Sequence, residues 1–198
     1  MIPVVLRPEP QDFDVKVRQP GLAWLAKNGI NPNGPPPKAG DLPPYWQNYT
    51  EQIWNVYGGV CAYLALYFPF VLGAASTDHF IAKSQHAGKA YEWSNYRLSC
   101  LGANRKKWAY DDVLDPMKLA PDTFFLDLAN GAIFPNPSLA VAQKDAAKDT
   151  IDRLELDSPN NRRWRAGHYT DYIQGHCDLD YIKRHSPFVH YEIIRQKL

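Results

Sequence analysis

The spacing of apolar positions changes several times along the chain, and each change marks an expected element boundary. From Pro44 to Tyr57 the residues Trp46, Tyr49, Ile53, Trp54 and Tyr57 recur at three- and four-residue steps. This is the period of a helix with one apolar face. An aromatic stripe at that spacing reads as core packing rather than as a platform for stacked bases, and Gly58-Gly59 ends it. The next stretch, VCAYLALYFPFVL from Val60 to Leu72, is dense in aromatic and branched residues and turns at Pro69 and Gly73, as a strand or an irregular hairpin arm would. It leads up to Thr77-Asp78-His79-Phe80-Ile81. A polar loop over Ala82 to Glu92 follows, then a second short strand within Tyr91 to Leu98 and a helix over Asn104 to Tyr110. Further on, Phe124 to Leu128 and Ala132 to Phe134 read as a hairpin joined at Asn130-Gly131, a pair suited to positive backbone angles. Helices are expected over Ser138 to Leu156, with Ser138 as N-cap, over Asn161 to Ile173, and over Leu179 to Gln196.

Residues 1–45 break this regularity. Pro3, Pro8, Pro10, Pro20, the run NPNGPPP from Asn31 to Pro37, and Pro43-Pro44 leave room for one short helix near Gly21 to Asn28, because each proline removes an amide donor and restricts the residue before it. The arm either wraps its own domain or reaches a partner or substrate. The expected class is α+β in a single domain of 198 residues: an arm and amphipathic helix over 1–57, a central core over 58–116, and a hairpin with a helical scaffold over 117–198.

Composition narrows the setting. A formal net charge of +1 gives no global attraction to nucleic acid, so any basic binding face has to be local. Three cysteines, Cys61, Cys100 and Cys177, are an odd and sparse set, unlike the dense even sets of disulfide-stapled domains. The most apolar run, Val60 to Ala75, is short and broken by Pro and Gly. A cytoplasmic protein with no membrane contact is the expectation.

Candidate chemistry gathers between Ser76 and Trp108. Asp78 is a hard oxygen ligand suited to Mg²⁺, and His79, with an unperturbed pKa of about 6.5, can accept a proton near neutral pH. Neighbouring side chains on a strand point to opposite faces, so an Asp-His pair serves one site only where the strand ends or twists. Asn95 stands sixteen positions after His79, and Asn104 nine further on. That is the reach of two strands, a loop and the start of a helix.

Through GGVCAYL, STDHFIAKS, YEWSNYRLSC, GANRKK and VLDP, about Val60 to Pro116, the chain resembles the HNH endonuclease superfamily. Fainter similarity to predicted bacterial HNH proteins runs through VRQPGLAWLA, TIDRLEL and SPFVHYEIIRQ. The resemblance implies a ββα-metal core in which His79 is the general base that deprotonates water, and Asn95 on the second strand fixes the loop holding that base. It implies Asp78 and Asn104 as ligands of a divalent metal, Mg²⁺ or Mn²⁺, in an H-N-N variant of the motif. Many members carry a structural zinc on two Cys-x-x-Cys pairs. Here the pairs read Cys61-Ala62-Tyr63-Leu64 and Cys100-Leu101-Gly102-Ala103, so one thiol of each is missing. Structural zinc is therefore not expected, with Leu64 and Ala103 replacing metal bonds by packing; a rebuilt site would draw on His86 or His176.

Arg97, Arg105, Lys106 and Lys107 form a local basic excess that could grip phosphates flanking a cut, or be a solvated helix face. Lys83 and Lys89 are weaker candidates. Arg162, Arg163 and Arg165 around Trp164 read as a salt-bridged helix face, and Asp111, Asp112 and Asp115 as loop and cap residues. The resulting expectation is a metal-dependent endonuclease that hydrolyses phosphodiester bonds, with DNA favoured over RNA. The alternatives are an RNA-cleaving effector of a bacterial defence or toxin system, and a non-catalytic nucleic-acid-binding or interaction module. By the same resemblance, anti-phage defence is the expected setting and an ATPase a candidate protein partner.

Overall fold

The computed structural model of the chain describes residues 1–110 and 112–198, so Asp111 and its expected loop role lie outside the described residues. The architecture is mixed α/β, with seven α-helices and two antiparallel two-stranded sheets among the described residues. Helix α1 spans Gln19–Lys27 and α2 Thr50–Val56. Strand β1 (Ala75–His79) pairs with β2 (Tyr96–Cys100) in a register that sets Asp78 opposite Arg97 and His79 opposite Tyr96. Helix α3 (Leu101–Lys107) follows β2 directly. Strands β3 (Phe124–Asp127) and β4 (Ala132–Pro135) form the second hairpin. Helices α4 (Val141–Arg153), α5 (Pro159–Ile173), α6 (Leu179–His185) and α7 (Pro187–Gln196) complete the chain. No described helix is long and apolar enough to cross a membrane.

Two hydrophobic cores meet at the β1–β2 hairpin. One gathers Phe13, Val17 and Leu25 from the N-terminal arm, Trp46, Tyr49 and Ile53, and Tyr91, Trp93, Tyr96 and Leu98. The aromatic stripe before Gly58 is thus core packing, although its first turn is a 3₁₀ segment, Tyr45–Tyr49, before α2 begins. Phe13 meets Tyr49, Trp93 and Tyr96 edge-on at ring distances of 5.3, 5.5 and 5.6 Å. Losing such a buried ring costs about 3–5 kcal/mol, so the arm is part of the domain it wraps. The other core takes Cys61 and Tyr63 from the irregular stretch after α2, Phe124, Leu126 and Ile133 from the second hairpin, and Ile151, Phe188, Val189 and Ile193 from the C-terminal helices.

Period-two alternation assigns the hairpin to both cores at once. Tyr96 and Leu98 enter the first core, while Ser99, between Leu98 and Cys100, approaches Cys61 of the second at 3.9 Å. On β1, Thr77 meets Thr50 at 3.2 Å on one side, and Ser76 meets Asn104 of α3 on the other.

Several boundaries depart from expectation. Helix α3 begins three residues before Asn104, with the Leu101 amide donating to Ala74 O at 2.7 Å. Helix α4 begins at Val141 rather than beyond a Ser138 cap; the Ser138 amide is held by Asn136 Oδ1, and the Ala140 amide by Gln143 Oε1. The expected helix over Leu179 to Gln196 is two helices, because Pro187 lacks an amide donor and drives Ser186 out of helical geometry, to ψ 65°.

Candidate functional site

Ser76, Asp78, His79, Lys83, Asn104 and Arg105 share one cleft of about 430 Å³, floored by β1 and walled by the loop after it and by α3. Strand β1 ends at His79. This is the condition under which adjacent Asp and His side chains can serve one space.

His79 is buried, with Trp46 edge-on at 4.7 Å and Tyr96 at 5.2 Å. Its Nε2 lies 3.2 Å from the carbonyl oxygen of Ala90. A carbonyl only accepts, so Nε2 carries the proton and Nδ1 keeps its lone pair. Burial, aided by the positive charge of Lys83, pushes the His79 pKa down to about 3, and the ring is neutral at pH 7.

The carbonyl that orients His79 is itself held. Asn95 is buried and spends its whole side chain on backbone: Oδ1 accepts from the Ile81 amide at 2.8 Å, and Nδ2 donates to Ile81 O at 3.0 Å and Lys89 O at 2.9 Å. It closes the loop between His79 and the Ala87–Tyr91 turn, in which Ala90 also accepts from the Tyr96 hydroxyl at 2.6 Å. The NPNG run supports the same turn from outside. Gly88 donates to Pro32 O at 2.8 Å, and a Cβ at Gly88 would lie 2.9 Å from the Pro32 ring, so only glycine permits the approach. His86 joins this contact through Asn33 O at 2.9 Å.

Asp78 points into the opposite half of the hairpin and is 2% exposed. The Tyr63 hydroxyl donates to its Oδ2. Burial raises its pKa, against the opposing pull of Lys107, Tyr63 and Arg97. Asn104 sits on the second turn of α3 and donates Nδ2 to Ser76 Oγ, which leaves Oδ1. Ser76 and Asp78 are two apart on β1 and so share a face. A carboxylate oxygen and an amide oxygen are hard donors of the kind that Mg²⁺ or Mn²⁺ takes with water completing the shell. Among the described residues, no group of three or more His, Cys, Asp or Glu could hold a metal ion.

The four basic residues expected to bind phosphate separate into different roles. Arg97 is corrected to a structural residue. It is 3% exposed and paired two-pronged with Asp115 at 2.8 and 2.7 Å, with Nη1 donating to Ser94 O and Tyr96 O. Lys107 is likewise buried and donates to Phe80 O at 2.8 Å, so it too faces inward rather than toward a ligand. Both follow from register: Arg97 lies across from Asp78, and Lys107 is three residues after Asn104, on the inner side of α3. Lys106 is exposed and paired with Glu155. Arg105 lines the cleft and is exposed. Lys83, a secondary candidate by sequence, lies against Trp46 at 4.2 Å on the cleft wall.

Elsewhere the charges serve the fold. Arg165 is buried on Gly131 O and Leu156 O, Arg162 pairs with Asp157, and Asp112 pairs with Arg153. Cys61 lies with Ala103 in the second core, with Cys100 and Leu64 packed against it. Trp108, given no role by sequence, stands at the cleft rim, 73% exposed. No protein-family model matches the chain, and no curated protein matches it.

Proposed function

We propose that the chain is a metal-dependent HNH-type endonuclease, its β1–β2–α3 unit serving as the ββα-metal core, and that its substrate is DNA. The observation that carries this reading is the pairing, in one cleft, of an oriented neutral imidazole with a carboxylate and an amide oxygen. Phosphodiester hydrolysis needs a base for water, positive charge at the phosphoryl group, and fixed geometry between them. His79 Nδ1 takes the proton from the attacking water. Ala90 O, which also accepts from the Tyr96 hydroxyl in the turn that Asn95 fastens through Lys89 O, keeps the ring turned so that Nδ1 and not Nε2 meets that water. Asp78 and Asn104 would hold a divalent cation, which when bound supplies charge stabilisation at the phosphate and the leaving oxygen. Lys83 and Arg105 draw the flanking phosphates into the cleft. The anionic substrate offsets the field of Lys83, so the His79 imidazole becomes a stronger base as the phosphate arrives.

The test incubates supercoiled plasmid and total RNA with the protein in Mg²⁺, in EDTA, and with His79→Ala. Cleavage in Mg²⁺ alone, reduced by about 10²–10⁴-fold in the variant, is expected. Cleavage that persists in EDTA or survives the substitution rejects the mechanism. Binding without cleavage of any substrate assigns the chain to the interaction-module class.

A further inference from the structure

Immediately after α3, the chain makes a tight turn that its residue type disfavours. The Trp108 amide still donates to Asn104 O at 2.9 Å, and the Tyr110 amide then donates to Lys107 O at 2.9 Å, closing a four-residue turn over 107–110. Trp108 occupies its first central position at φ 40°, ψ −119°. That is close to the geometry in which a II′ turn takes glycine, because a Cβ crowds the neighbouring carbonyl. Backbone strain at a bulky residue persists only where something else holds it. Burial is not that reason, since the indole is 73% exposed. Tyr110 meets it edge-on at 6.1 Å, and Arg153 lies over the Tyr110 ring at 4.6 Å.

The strained turn sets the indole at the rim of the cleft that holds Asp78 and His79, beside Arg105. Among the described lining residues Asp78 is the one carboxylate, opposed by Lys83 and Arg105. The cleft volume, about 430 Å³, lies within the roughly 300–1,000 Å³ of sites that enclose a small organic group. Paired bases in a duplex hide their faces against one another, so an exposed indole face can stack only on a base that has left the helix or never entered one.

From this we infer that Trp108 is the stacking platform for an unpaired nucleobase next to the phosphate gripped at Arg105 and Lys83. With the DNA reading above, the substrate class of the cleft is DNA that is single-stranded or locally unpaired at the cleft. The inference rests on the nuclease reading for its site, and deepens it by naming the strand state.

The experiment compares wild type, Trp108→Gly and Trp108→Phe, with a single-stranded oligothymidylate and a duplex of equal length. Binding is read in EDTA by fluorescence anisotropy of a dye-labelled oligonucleotide with tryptophan quenching recorded beside it, stability by thermal melting, and cleavage in Mg²⁺ as separate kcat and KM. Single-strand binding is expected to fall about 10- to 100-fold in Trp108→Gly, the size of one base-stacking contact. The share of the indole quench due to Trp108 should be lost, KM should rise more than kcat falls, and the melting temperature should hold or rise. Trp108→Phe retains most of the binding. Unchanged affinity in Trp108→Gly, a lowered melting temperature, or equal or tighter binding of the duplex overturns the stacking role. Quenching without cleavage of any substrate keeps the stacking role and rejects the nuclease, whereas cleavage insensitive to Trp108→Gly does the reverse.

Discussion

His79 and Asp78 are neighbours on β1, yet each is seated in a different core. His79 turns toward the core built on the N-terminal arm, among Trp46 and Tyr96, and meets a single backbone carbonyl. Asp78 turns toward the core shared with the C-terminal helices, where Tyr63 donates to it and Lys107 and Arg97 supply positive charge. Burial drives both toward their neutral forms, and so drives their pKa values in opposite directions. One face of the hairpin thus presents a proton acceptor in an apolar setting; the other presents an ionisable oxygen ligand within a charge network. The base needs rigidity and dryness, and the ligand needs compensating charge, so the two demands are met by two different cores.

The charge network is the half whose loss costs most. Arg97→Ala leaves Asp115 buried without its partner and removes positive charge from the neighbourhood of Asp78. A destabilisation of about 3–5 kcal/mol is expected, or a drop in melting temperature on the order of 10 °C for a chain of this size. The double variant Arg97→Met with Asp115→Leu removes both charges and should recover much of that loss. Equal melting of the two variants would mean that the ion pair contributes nothing beyond side-chain volume.

The opposite titrations of His79 and Asp78 give the next largest effect. An unfolded histidine titrates near 6.5, whereas folded His79 titrates near 3. Between those values the unfolded chain binds more protons, so acidification through this window lowers stability by up to about 1.4 kcal/mol per pH unit. Folded Asp78 titrates above its ordinary 3.8. Above that value the folded chain holds the extra proton, so its contribution to stability declines as pH rises through the raised pKa. His79→Gln should flatten the acid side of the curve, and Asp78→Asn should raise stability at neutral pH in the absence of metal. Urea melts across about pH 4 to 7 check both; parallel curves for wild type and His79→Gln would show that His79 is not held neutral by its surroundings.

The first of these two surroundings was more legible in sequence than the second. Spacing and the family resemblance drew attention to Asp78, His79 and Asn95; Asn95 lies in the 3₁₀ turn Trp93–Asn95 just before β2 rather than on the strand, and there makes three backbone bonds. The aromatic stripe before Gly58 announced the core behind His79. The Asp78 side depends on partners that periodicity does not report. Nothing local ties Arg97 to Asp115, eighteen residues on and beyond α3. The basic run reads as one cluster in sequence, and only the three-residue spacing of Lys107 from Asn104 hints that the two share a side of α3. Trp108 left no signal, because a tryptophan in a glycine-type turn breaks the rule by which such turns are found.

Arg105 separates charge used for folding from charge used for binding, and it gives the smallest effect of the series. It is exposed on the cleft lip, whereas Arg97 and Lys107 are buried beneath it and Lys106 is turned to Glu155. Arg105→Ala should leave the melting temperature unchanged and weaken nucleic-acid binding about two- to tenfold, with the slope of log affinity against log salt reduced by about one phosphate contact. The size of that slope change matters more than the affinity itself, since a side chain that only packs would alter affinity equally at every salt concentration. If the slope stays fixed, Arg105 does not touch phosphate, and Lys83 remains as the cation drawing the backbone toward His79. If the slope falls while the melt does not, the lip and the buried network are independent, as their separate partners require.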